Sequence, residues 1–202
     1  MRAPSAETRA ALRVSWASIG WGVLIGMAAI GFGQSARSLA LVGSGASVLI
    51  DLTSSAVLVW RFRRDETHPY AERLAHRVAA SALLTLSVLL AAGAVWHLVQ
   101  GDRAHPNIPS ITVSAASVVG LPLIGAWKYT VAARVRSRAL AADAHITMVG
   151  AGTALLTLGG LALTKAGLSS ADAVAALGIA AAAGVVGTTE LRAVTRSGAS
   201  SA

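Results

Sequence analysis

The sequence predicts an all-α membrane protein with six transmembrane helices. Hydrophobic residues make up 54% of the 202 residues and charged residues only 13%, a composition too apolar for an ordinary soluble domain. The apolar residues fall into six runs, each long enough to cross the hydrocarbon core of a bilayer as a helix. The chain contains no cysteine, so disulfides and thiolate metal ligands are excluded.

Polar segments separate the six runs and set their bounds. The predicted spans cover residues 14–33, 39–60, 78–99, 110–131, 139–163 and 171–191. We therefore expect a basic cytoplasmic N-terminus over 1–13, a transmembrane domain over 14–192 and a short cytoplasmic tail over 193–202. Because no small-residue cleavage site follows the first run, that run should be retained as the first helix.

The segments between the runs carry loop signals. Residues 34–37 predict a tight hairpin between the first two helices. The charged segment 61–77 predicts a cytoplasmic loop that leads into the third helix, and Pro106 with Pro109 marks a loop before the fourth. Pro122 lies within the fourth span, where a proline favours a kink.

The distribution of basic residues predicts which side of the membrane each loop faces. Most of them lie on the side of the two termini: Arg2, Arg9, Arg13, Arg61, Arg63, Arg64, Arg73, Arg77, Lys128, Arg134, Arg136, Arg138, Arg192 and Arg196. Only Arg37, Arg103 and Lys165 lie on the opposite side. Cytoplasmic loops are enriched in Lys and Arg, so both termini should be cytoplasmic, and we expect the plasma (inner) membrane. This topology also explains the net charge of +8, and no nucleic-acid partner is expected.

One carboxylate interrupts the second run, because Asp51 is the only ionisable residue within 39–60. On a helix it belongs to a polar stripe made up of Ser44, Ser47, Asp51, Ser54 and Ser55. An unpaired charge near the middle of a membrane costs at least ~2.5 to 3.5 kcal/mol, so such an acid is a candidate ion or proton site. The alternative is a structural Asp51 held by the neighbouring hydroxyls. We favour the ion site, because the sequence places no positive partner nearby.

Two further ionisable residues, Asp143 and His145, lie near the start of the fifth span. Their spacing of two places them on different faces of a helix, so we do not expect them to bind one ion together. His145 could bind a divalent metal or carry a proton, or it could hydrogen-bond to a neighbouring helix. Asp143 could belong to the ion site, or it could interact with the helix dipole and with Arg138.

Two short motifs have structural interpretations. Ser169 and Asp172 fit the S-x-x-D pattern of a helix start, so Asp172 should satisfy backbone amides at a helix end. Gly22 and Gly26 form a GxxxG pattern, which permits close helix approach in lipid. We interpret these glycines as general small-residue packing.

Residues 51–61 read D-L-T-S-S-A-V-L-V-W-R. This segment resembles the signature of one branch of the cation diffusion facilitator superfamily, which includes small bacterial cation transporters and vertebrate vesicular zinc transporters. Further segments similar to that branch are 12–22, 38–43, 137–143 and 172–176. The resemblance covers almost the whole chain. It implies a cation-efflux type of transmembrane domain and a homodimer that exports zinc or a similar divalent cation, in exchange for protons, by alternating access.

The chain departs from the superfamily's usual central site, which takes two acids on the second helix and a His and an Asp on the fifth. The corresponding residues here are Ser47, Asp51, Ile146 and Gly150, so only Asp51 is retained. A site with one carboxylate, hydroxyls and an imidazole should bind zinc weakly. The superfamily also carries a C-terminal cytoplasmic domain, which we expect this chain to lack because only a short tail follows the sixth span.

These observations predict a divalent-cation transporter, with zinc the leading candidate and no resident cofactor. Asp51 is the expected central metal ligand and proton acceptor, and the expected auxiliary ligands are Ser47, Ser55, Asp143 and His145. The expected partners are membrane lipid, the transported cation, protons and a second copy of the chain. An alternative of a different class is a degenerate paralogue that no longer transports and acts as a membrane partner or dimer subunit. An enzyme is the weakest interpretation, because the sequence shows no nucleophile and base pair and no cofactor-binding loop.

Overall fold

Helices account for the secondary structure throughout the described part of the chain. The computed structural model describes residues 6–63 and 69–199, and these ranges contain no β-strand. The helices are α1 (Ala6–Ser35), α2 (Leu39–Arg63), α3 (Pro69–Gln100), α4 (Ile108–Arg134), α5 (Arg138–Lys165) and α6 (Ala171–Ala199). All six are long and apolar enough to cross a membrane, which confirms the predicted fold class. The predicted sidedness of the termini stays a prediction.

The largest difference from the predicted bounds lies in the charged segment 61–77, which was expected to be a loop. Helix α2 continues to Arg63 and α3 begins at Pro69, so most of this segment is helical, while residues 64–68 lie outside the described part. A proline is compatible with the first turn of a helix, because its missing N–H would have no intrahelical partner there. The outermost residues of both predicted terminal segments, 1–5 and 200–202, also lie outside the described part.

Side-chain caps define the starts of α4 and α5. The Asn107 side chain accepts a hydrogen bond from the backbone N–H of Ser110 at 2.9 Å, and the Ser110 hydroxyl accepts one from the backbone N–H of Asn107 at 3.0 Å. The Ser137 hydroxyl accepts a hydrogen bond from the backbone N–H of Leu140 at 3.3 Å. Pro122 lies inside α4 without ending the helix. Only the short segment 135–137 separates the end of α4 from the start of α5, so these two helices form an antiparallel hairpin.

Helix α2 lies at the centre of the bundle, where it packs against α1, α3, α5 and α6. The most extensive contacts between helices are those of α1 with α2, α3 with α6, and α4 with α5. Glycines allow α1 and α2 to approach closely, because a Cβ atom added at Gly45 would lie 2.7 Å from the carbonyl oxygen of Gly26. The predicted GxxxG pair, Gly22 and Gly26, faces α2 within the same chain. This placement agrees with a general packing role.

Asp172 ties α6 to α2 at the end of the bundle opposite the two termini. Its carboxylate accepts hydrogen bonds from the backbone N–H groups of Leu39, at 2.9 Å, and Ala40, at 3.5 Å, and from the Ser38 hydroxyl. Asp172 therefore satisfies backbone amides at a helix end, as the sequence predicted, but the amides belong to α2 rather than to its own helix. The S-x-x-D pattern describes local contacts only, whereas here a neighbouring helix supplies the donors.

Candidate functional site

A buried ion pair joins α4 and α5 inside the bundle. The Lys128 ammonium lies 2.7 Å from Oδ2 of Asp143, and the two side chains are only 1% and 3% exposed. Lys128 also donates hydrogen bonds to the hydroxyl oxygens of Thr147, at 2.8 Å, and Ser55, at 3.1 Å. An ammonium group has three N–H donors, so these three contacts use all of them.

Ser55 connects this ion pair to α2. Its hydroxyl donates to the Asp143 carboxylate, with oxygen distances of 2.9 and 3.1 Å, while it accepts from Lys128. The Thr147 hydroxyl donates to the backbone carbonyl of Asp143 at 3.0 Å, which fixes Thr147 beside the pair. Residues of three helices thus form one polar cluster, which we call the 128–143 cluster: Ser55, Lys128, Asp143 and Thr147.

The α4–α5 hairpin explains why Lys128 and Asp143 meet. Lys128 precedes the connecting segment 135–137 by about two helical turns, and Asp143 follows it by a similar distance. In an antiparallel hairpin, residues at equal distances from the turn lie at the same depth. Lys128 was counted among the charges that flank the membrane, but the structure places its ammonium within the bundle. The remaining Arg residues still give the same bias toward the side of the termini.

Asp51 lies one helical turn from Ser55, about 6 Å further from the cytoplasmic end that the sequence predicts for α2. It lines two small cavities. The first also borders on Ser55, Lys128, Thr147 and Gly150. Asp51 lies within electrostatic range of Asp143 and Lys128, and also of Glu190 on α6. The acid that the sequence singled out therefore belongs to a wider charged centre, with the 128–143 cluster beside it.

The second cavity at Asp51 lies between α2, α3, α5 and α6 and is lined by Ser47 and Ile146 among other residues. The four positions that the resemblance matched to metal ligands, Ser47, Asp51, Ile146 and Gly150, therefore line the two cavities that share Asp51. A Cβ atom added at Gly150 would have a single neighbour within 4 Å, a Leu121 methyl carbon at 3.8 Å. This position therefore has room for a Cβ atom.

His145 does not join these residues. Its ring is exposed on the outer side of α5, and its Nδ1 atom lies 3.4 Å from the Tyr129 hydroxyl. Asp143 is buried two positions earlier, so the two side chains point to different faces, as their spacing predicted. Of the residues proposed from the sequence, Ser47, Asp51, Ser55 and Asp143 lie in the bundle interior near one another, whereas His145 faces away.

Oxygen atoms dominate the candidate site. Among the described residues, no group of three or more His, Asp or Glu side chains is arranged to hold a metal ion. Two carboxylates, Asp51 and Asp143, are instead accompanied by hydroxyl groups and by one ammonium. Carboxylates and hydroxyls attract cations, but such a centre has fewer strong ligands than a structural metal site. It is better suited to hold a cation transiently than permanently.

Comparison with known proteins identifies a distant relative. No family model matches the chain. The chain is similar to a protein of Methanocaldococcus jannaschii that is named an uncharacterized transporter, with 27% identity over 172 residues. The aligned region covers 81% of this chain and 61% of the relative, so the chain spans about three-fifths of that protein's length.

Proposed function

We propose that this protein transports a divalent cation across the membrane and that Asp51 is the central ligand. The observation that carries this proposal is the position of Asp51, inside a six-helix bundle, beside two cavities and a second carboxylate. Ionisable residues within transmembrane segments are costly and mark ion pathways. The similarity to a protein named as a transporter supports transport as the activity.

Zinc is the leading candidate cargo, and the support for it comes from the cation diffusion facilitator resemblance. The positions that the resemblance matches to ligands line the two cavities at Asp51, although three of them carry Ser47, Ile146 and Gly150. In this chain Asp143 and the Ser55 hydroxyl lie near Asp51 and provide the additional oxygen ligands. His145 contributes none in this conformation, because it faces the outer surface.

Proton exchange would occur at the same carboxylate. A proton and a divalent cation cannot both occupy Asp51, so an inward proton gradient would drive the cation outward. The protein would then act as an antiporter in the plasma membrane, as a homodimer, in line with the resemblance. The competing function is a degenerate paralogue that serves as a membrane partner or dimer subunit, and it predicts no divalent-cation flux through the purified protein in proteoliposomes.

The test is zinc binding to the purified protein, measured by titration calorimetry. We expect Asp51→Asn to abolish binding, because asparagine retains the volume and a carbonyl oxygen but lacks the charge that attracts the cation. Asp102→Asn is the matched control, since Asp102 is an exposed acid in the loop between α3 and α4. Its affinity should equal that of the wild type. Equal zinc affinity for Asp51→Asn and the wild type would rule out Asp51 as the ligand.

A further inference from the structure

Lys128 places a positive charge at the edge of the proposed cation site. Its ammonium pairs with Asp143 and hydrogen-bonds to Ser55 and Thr147. The same side chain lines the cavity that contains Asp51. Both an acid and an ammonium therefore border the space that a cargo cation would enter.

A divalent cation in this cavity would lie close to the ammonium. Like charges repel strongly in the low dielectric of a bundle interior, where few water molecules screen them. Ser55 lies on the same helix as Asp51 and hydrogen-bonds to the Asp143 carboxylate. The Lys128 ammonium and a cation in the cavity would therefore be attracted to the same acids. The ammonium and the cargo therefore compete for Asp143.

We propose that Lys128 is a tethered counter-cation, which holds Asp143 when the site is empty and releases it when a divalent cation binds. Lys128 would thereby set the affinity of the site for its cargo, a role that rests on the proposed function. With the ammonium on Asp143, a positive charge already occupies that carboxylate, and the cavity offers the cation the carboxylate of Asp51. Withdrawal of the ammonium adds a second carboxylate and the Ser55 hydroxyl, and the flexible four-carbon stem of lysine permits such a movement.

The first test compares the zinc affinities of Lys128→Met and Lys165→Met. The chain has no other lysines, and Lys165 is exposed at the opposite end of the bundle. Removal of the competing ammonium should tighten zinc binding by Lys128→Met about tenfold, which corresponds to ~1.4 kcal/mol. Lys165→Met should bind zinc as the wild type does. A purely structural ion pair would lower stability without tightening binding, so an unchanged or weaker affinity in folded Lys128→Met overturns the proposal.

The second test uses the wild-type protein and stays decisive if Lys128→Met does not fold. Zinc should expel the Lys128 ammonium from its ion pair, so its rate of acylation by a membrane-permeant amine reagent should rise severalfold at saturating zinc. Lys165 provides the internal control, because its exposed amine should react at the same rate with and without zinc. Mass spectrometry of peptides from the labelled protein separates the two sites. A Lys128 rate that does not change with zinc overturns the proposal.

The two proposals can fail separately. Suppose that the wild type binds zinc and Asp51→Asn does not. If Lys128→Met then binds zinc no more tightly than the wild type, and the Lys128 amine reacts no faster in the presence of zinc, only the counter-cation role fails. If the wild type binds no divalent cation, the proposed function fails and the counter-cation role fails with it.

Discussion

The Lys128 ammonium is buried in a bundle that otherwise consists largely of alanine, leucine, valine and glycine. A buried charge is tolerated when every donor is matched, and here one carboxylate and two hydroxyls receive the three N–H donors. The cluster depends on Asp143 most of all, because its carboxylate brings a full opposite charge to within 2.7 Å of the Lys128 ammonium. Replacement of Asp143 should therefore be costly.

We expect Asp143→Ala to lower the free energy of unfolding by ~3–5 kcal/mol, since it leaves the Lys128 ammonium buried without its counter-ion. Asp102→Ala removes an exposed loop carboxylate and should change the free energy by no more than ~0.5 kcal/mol. Chemical denaturation of both variants in the same detergent measures the difference. Equal stability of the two variants would contradict a structural dependence on the buried pair.

Sequence reasoning identified part of the charged centre, because Asp51, Ser55 and Asp143 stand out as polar residues inside apolar runs. It missed Lys128, which was interpreted as a flanking charge near the end of the fourth span. A usable signal was present, since Lys128 and Asp143 are nearly equidistant from the α4–α5 turn and carry opposite charges. The direction in which the His145 side chain points could not be predicted from the sequence, because it depends on how α5 is rotated against its neighbours.

At the scale of helices, composition predicted which segments are helical better than where they begin and end. The apolar runs correspond to the six helices, since length and hydropathy determine whether a helix can cross a bilayer. Helix α3 nevertheless starts at Pro69 rather than at 78, so the helix extends beyond the apolar run by which it was predicted. The carboxylate of Asp172 shows a related limit, since its donors belong to α2 and the packing of α6 on α2 cannot be read from a local motif.

The α1–α2 interface offers a test at the same scale. We expect Gly45→Ala to lower the free energy of unfolding by ~1–3 kcal/mol, because its Cβ would lie 2.7 Å from the Gly26 carbonyl oxygen and 2.9 Å from Ala29 Cβ. Gly31→Ala is the matched control on α1, where an added Cβ meets nothing within 4 Å. The midpoint of thermal unfolding compares the two. A Gly45→Ala protein as stable as Gly31→Ala would show that this close approach does not exist.

For the whole molecule, the charged centre lies between the two ends of the helix bundle. The 128–143 cluster lies between Asp51 and the ends of α2 and α4, which the basic residues predict to be cytoplasmic. Toward the other side, the Ser38 hydroxyl donates to Asp172 at the start of α2, and Ser38 lines a cleft of about 370 Å³ together with Arg37, His97 and Arg103 among other residues. Asp51 thus occupies an intermediate depth in the bundle, where the proposed transport by alternating access would place its ion site.

Transport itself is the most direct test of the central claim, which is that Asp51 carries a divalent cation through this bundle. Purified protein is reconstituted into proteoliposomes, and zinc flux is followed under an imposed pH gradient with a zinc-sensitive dye. The wild type and Asp102→Asn should move zinc at equal rates, whereas Asp51→Asn should not exceed empty liposomes. Zinc flux through Asp51→Asn at the wild-type rate, or no divalent-cation flux through the wild type, would contradict the account.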